Sequence, residues 1–202
     1  MSHPKLKSWQ LSERDFDFLV ETVSPEAKDK VRLREIIRED EDFRNSFIGD
    51  ERVFRRLMDE EETFLKISPA LFFEILLRKA AHDLEDASYT LEKTSTMKIP
   101  VFDTKGVVEL LSNESLLLYL ADMLSSFTRI ESYTIPLLIR KGIWEKVRFN
   151  DMDILSLMSF CQRVDDEYRL GFYKRTADIC LFILGIFPDY AERDYRYPFS
   201  GQ

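Results

Sequence analysis

Seven ionisable side chains crowd the turns that precede the most apolar stretch of this sequence: Asp165, Asp166, Glu167, Arg169, Lys174, Arg175 and Asp178. Asp178 stands one residue before that stretch, where an uncompensated carboxylate would be costly to desolvate. On a helix, Lys174 lies four residues back and Arg175 three, so either cation reaches it. One reading is a structural ion pair, the usual way to bury an acid. The other is a polar pocket at the end of a core helix, built from Asp178, Arg175, Lys174, Arg169 and Tyr173, with Tyr168 as a further donor. Such a pocket would take a small polar ligand or run acid–base chemistry.

Other groupings carry less. His82 and Asp86 share a helix face at i and i+4, a spacing that suits two metal ligands. The second histidine is the remote His3, and no Glu-x-x-His pair occurs, so a salt-bridged or solvated His82 is expected. The acidic runs Glu39-Asp40-Glu41-Asp42 and Asp59-Glu60-Glu61-Glu62 lack the spacing and glycine of a calcium loop. Each neighbours arginines (Arg38, Arg44, Arg55 and Arg56), which favours surface ion pairs. No metal and no cofactor is expected.

The window from Arg129 to Arg148 is locally basic: Arg129, Arg140, Lys141, Lys146 and Arg148 stand against Glu131 and Glu145. Two helices followed by a basic hairpin match the layout of a winged-helix DNA reader, with Arg140, Lys141, Lys146 and Arg148 at the wing. The helix that would enter the groove, Ser115 to Phe127, is dominated by leucine, and a formal charge of -8 argues against general nucleic-acid binding.

Enzyme signatures are absent. The six glycines form no phosphate-binding loop and no nucleophile elbow. Cys161 and Cys180 match no C-x-x-C spacing and read as small buried hydrophobes. An enzyme built on Asp, Glu, Lys or Tyr alone stays open, because such sites leave no local pattern.

The elements that must position these groups follow from the apolar periodicity. Ile179 to Phe187 is apolar on every side and too short for a membrane span of roughly 20 residues, which predicts the buried central helix of a core. Ser12 with Asp15 predicts a capped first helix, and Ser24-Pro25 and Ser68-Pro69 predict two further starts, the last opening a helix to about Lys93. Residues 94 to 106 read as a connection joining sub-halves 1–93 and 107–202. Ser112 and Asn150 read as N-caps, and a last helix runs from about Tyr168 to Phe187. Residues 133 to 149 read as either a small β-hairpin around Gly142 or a loop with a short helix.

With 45% apolar residues, six Gly and seven Pro, the expectation is a single all-α domain over residues 1–202, of about seven or eight helices. No apolar segment follows Met1 to Lys5, so a cytoplasmic protein without membrane association is expected. Sixteen Phe and eight Tyr, with Tyr190, Tyr195, Tyr197 and Phe199 in the tail, favour action through a protein partner or a second copy.

Overall fold

The computed structural model describes residues 11–60, 62–93, 97–130, 132–140, 142–164 and 166–189. Among them the chain is predominantly helical, with ten helices and two two-stranded sheets. Its backbone contacts fall into two compact units, Met1–Glu92 with Ile99–Thr128 and Lys93–Lys98 with Arg129–Gln202.

In the first unit, side-chain caps cut the early sequence into short helices. Helix α1 (Glu13–Val23) opens on the expected capping box between Ser12 and Asp15. Ser24 ends that helix instead of starting another. The next start is Asp29, whose carboxylate accepts from Arg32 N, and α2 spans Lys30–Glu39. Asp40 and Asp50 cap α3 (Glu41–Ile48) and α4 (Glu51–Asp59) in the same way. A single turn, α5 (Thr63–Lys66), leads to α6 (Pro69–Glu85), which has Ser68 as cap and proline at the first helical position. These breaks explain why ten helices replace the seven or eight expected.

Phe16, Leu19 and Val20 of α1 meet Ile37 of α2, Phe47 and Ile48 of α3, Val53 and Leu57 of α4, and Leu71 and Ile75 of α6. Burial of such a side chain contributes about 1.5–3 kcal/mol, so this cluster is the stabilising centre of the unit. Helix α6 ends eight residues before Lys93. Strand β1 (Thr90–Lys93) pairs with β2 (Lys98–Val101) where an irregular connection was expected. Helices α7 (Thr104–Ser112) and α8 (Glu114–Ser126) then pack on α6 and on each other. Asn113, not Ser112, caps α8, accepting from Leu116 N while the Ser112 hydroxyl donates to Val108 O.

In the second unit, residues 133–149 form the hairpin. Strand β3 (Ser132–Arg140) runs antiparallel to β4 (Ile143–Asn150), with Tyr133 opposite Phe149 and Leu138 opposite Trp144, and a bulge between Leu138 and Arg140. Gly142 takes φ 81° at the turn, a conformation L side chains rarely adopt. Pro136 is tolerated because both strands of a two-stranded sheet are edges. Helix α9 (Ile154–Cys161) is capped by Asp153, while Asn150 caps only a local turn by accepting from Met152 N. Phe149, Phe160 and Phe172 join the hairpin to α9 and α10 (Asp166–Ile186), with ring centroids 4.5, 5.8 and 6.2 Å apart.

The run that opens at Ile179 is not buried on every side. Ile179 is fully buried and Phe182 and Ile183 are half-buried, but Cys180, Leu181, Leu184, Ile186 and Phe187 are exposed. The reason is the shortage of cover: α10 packs chiefly on α9, and one neighbour covers one face. Cys161 is buried as expected, whereas Cys180 is exposed. No helix among the described residues is long and apolar enough to cross a membrane.

Asp15 is the tie that closes the first unit. Fully buried, it accepts from Ser12 N at 2.7 Å and Ser12 Oγ at 2.8 Å, and its second oxygen accepts from Ser68 N at 2.6 Å. It thus joins the starts of α1 and α6. Asp15→Ala removes all three of these part-buried hydrogen bonds and is expected to lower stability by about 1–3 kcal/mol in urea unfolding. The exposed ion-pair control Asp17→Ala should cost less than about 1 kcal/mol.

Candidate functional site

Residues of the expected polar cluster make the following contacts along α10. Lys174 Nζ donates to Asp178 Oδ2 at 2.7 Å, so the buried Asp178 carboxylate is held by the cation four residues back. Arg175 turns the other way: its guanidinium donates to Asp151 O at 3.0 Å and to Asp151 Oδ2 at 2.6 Å. Both Arg175 and Asp151 are largely buried, so this fork ties α10 to the turn between β4 and α9. Arg169 donates to Val164 O at 3.1 Å and bridges Asp166 at 2.7 Å. Tyr173 is exposed, on the face of the helix away from Ile179. The Lys174–Asp178 contact is the ion pair that helical spacing allows, and Arg175 and Arg169 also reach Asp151, Val164 and Asp166.

Of the basic set, Lys146 and Arg148 stand on β4 and are exposed. Arg140 lies opposite Ile143 beyond the bulge, and Lys141 lies outside the described residues, as do His3, the tail aromatics Tyr190, Tyr195, Tyr197 and Phe199, and Asp165. Helix α8 belongs to the first unit, where Leu117, Ala121 and Met123 are buried, while the hairpin belongs to the second. Exposed His82 faces Glu85 at 3.4 Å, and among the described residues no three potential ligands group as a metal site would need. The acidic runs pair outward, Glu41 with Arg44 and Glu60 with Arg56.

A second polar centre lies where α3, α6 and α8 meet, and the sequence reading passed over it. Glu74 is fully buried. Its Oε1 accepts from Arg78 Nε at 2.8 Å and from a terminal guanidinium nitrogen at 2.7 Å, while Oε2 is buried with no hydrogen-bond partner among the described residues. Arg78 also reaches Asn45 Oδ1 at 2.9 Å and Glu114 Oε1 at 3.2 Å, and Asn45 Nδ2 donates to Glu114 Oε2 at 3.0 Å. One signal was available: in Leu71-Phe72-Phe73-Glu74-Ile75-Leu76-Leu77, Glu74 is a single charge inside an apolar run, with Arg78 at i+4. Burial pushes the Glu74 carboxyl above its ordinary value, against the pull of Arg78 and Arg44 and with help from the Glu114 charge. Arg78 also borders a small cleft of about 50 Å³ with Ile48, Phe54 and Lys79. The arrangement is a desolvated carboxyl held on one oxygen by Arg78; a shared reaction centre would need a second group facing Oε2.

The chain matches no known protein family, no curated protein and no solved structure.

Because the folded state raises the Glu74 pKa, its stabilising contribution is fully present below the ordinary value of 4.5 and is lost as pH rises through the raised folded value. Glu74→Gln keeps the shape and removes the titration. The stability of wild type relative to Glu74→Gln should therefore fall as pH rises from about 4.5. A difference that stays constant with pH in denaturant titrations would show that burial does not raise the Glu74 pKa.

Proposed function

We propose that the chain is a cytoplasmic interaction module that pairs with a second copy of itself through the outer face of α10. One observation carries this reading. Leu170, Tyr173, Leu181 and Leu184 are exposed to 73%, 58%, 48% and 61%, values far from those of a helix that only shields its own core. With exposed Ala177 they lie within about a quarter turn of one another on a helix of ~3.6 residues per turn. Fully buried Ile179 and half-buried Phe172, Thr176 and Ile183 occupy the opposite side.

The spacing also supports the choice of partner. From Leu170 the intervals to Tyr173, Ala177, Leu181 and Leu184 are 3, 4, 4 and 3, the same from either end. Such a pattern is complementary to itself in an antiparallel pair, as a twofold contact requires. An axis at Ala177 sets Tyr173 beside Leu181 of the partner subunit and Leu170 beside Leu184 of the partner subunit. The small side chain of Ala177 lets the two helices approach at the crossing. Pairing would cover the second face of the Ile179 to Phe187 run, so that α10 becomes the central helix of a core shared by two chains. Two free cysteines fit a reducing compartment.

One helix face lies at the small end of stable interfaces, so a dissociation constant on the order of 10 µM is expected. Sedimentation equilibrium of the full chain should show a concentration-dependent dimer, and Leu181→Glu should leave monomer throughout. Ala177→Cys, in a Cys180→Ser background, should form an intermolecular disulfide under mild oxidant, because residue 177 meets its own counterpart. A wild-type chain that stays monomeric, or a dimer indifferent to Leu181→Glu, would sink the reading.

A further inference from the structure

The hairpin has two chemically distinct faces. Register places Tyr133 on the same side as Phe149, Val147 and Glu145, and buried Phe149 turns that side towards α9 and α10. The other side carries Ser132, Thr134 and Pro136 opposite Asn150, Arg148 and Lys146, with Trp144 next along β4. Those seven residues include two cations, one large aromatic ring and no carboxylate, in a chain of formal charge -8. Trp144 is 63% exposed, a costly position for an indole with nothing to cover it. Lys146 and Arg148 are exposed and have no carboxylate partner among the described residues, unlike Arg38, Arg56, Arg78 and Arg175.

Geometry orders these groups. Alternate residues of a strand stand about 7 Å apart on one face. Trp144, Lys146 and Arg148 therefore form a row along β4: a flat ring nearest the Gly142 turn, then two cations towards the base. A duplex would meet this row with phosphates alone, because its bases are stacked inward. A single strand offers both an unstacked base for the ring and successive phosphates for the cations.

We infer that this face of the hairpin binds single-stranded nucleic acid, with Trp144 stacking on a base and Lys146 and Arg148 contacting the phosphates. The site is separate from the outer face of α10 and does not rest on pairing of the chain.

Fluorescence anisotropy of a labelled oligothymidine of about twelve nucleotides, a length within the range such surfaces engage, tests the assignment at low salt. Wild type should bind, with affinity falling as salt is added. Trp144→Ala should weaken binding about 5- to 100-fold with the salt slope unchanged. The double variant Lys146→Ala, Arg148→Ala should flatten the slope of log affinity against log salt by roughly 1.4, about 0.7 per lost phosphate contact. All the altered side chains are exposed, and circular dichroism confirms that each variant is folded. Absence of binding at low salt would overturn the inference. So would binding that ignores Trp144→Ala, which would mark a surface attracting any polyanion, or equal affinity for a duplex of the same length.

Discussion

A helix that is apolar on every side needs neighbours on every side. In the first unit each short helix has only one apolar stripe, and the stripes of α1, α2, α3, α4 and α6 close on one another around Leu19, Ile37, Val53 and Leu71. In the second unit α10 has apolar residues all round its last half and one principal helical neighbour, α9. The aromatic contacts of Phe149, Phe160 and Phe172 secure its inner side. Its outer side is left to water, and the exposure of Leu181 and Leu184 is the direct result.

Local rules made much of the helical fold legible. The Ser12 and Asp15 box and the Ser68-Pro69 start have unambiguous donors and acceptors within three residues, and both are present. The misread boundaries share one cause. Ser24, Ser112 and Asn150 are good capping types one to five residues before the residue that caps, and the choice depends on which side chain reaches the third amide along. Asp29, Asn113 and Asp153 do so. The paired strands β1 and β2 left almost no trace, because four-residue segments such as Lys98-Ile99-Pro100-Val101 are too short for periodicity to separate strand from loop.

Contacts within a helix were legible in the candidate sites; contacts across the fold were not. Lys174 with Asp178 follows from spacing alone. Arg175 was an equal candidate by distance along the helix, yet it serves Asp151, 24 residues earlier, which no spacing rule reaches. Glu74 shows the reverse error. Its position among Leu71, Phe72, Phe73, Ile75, Leu76 and Leu77 marks it as buried, although it belongs to none of the charge clusters. A solitary charge in an apolar run is the stronger signal, since every neighbour along the helix must exclude water from it.

The contact of Phe149 with Phe160 and Phe172 means that the hairpin is not a free arm. Its inner face is anchored to the helix that bears the proposed pairing stripe, and Arg175 braces the same junction from the turn after β4. If two chains join along α10, their two outer hairpin faces are carried at one fixed separation. A long strand spanning both would then be held with an effective concentration set by that separation, so modest contacts at each face would act together as avidity.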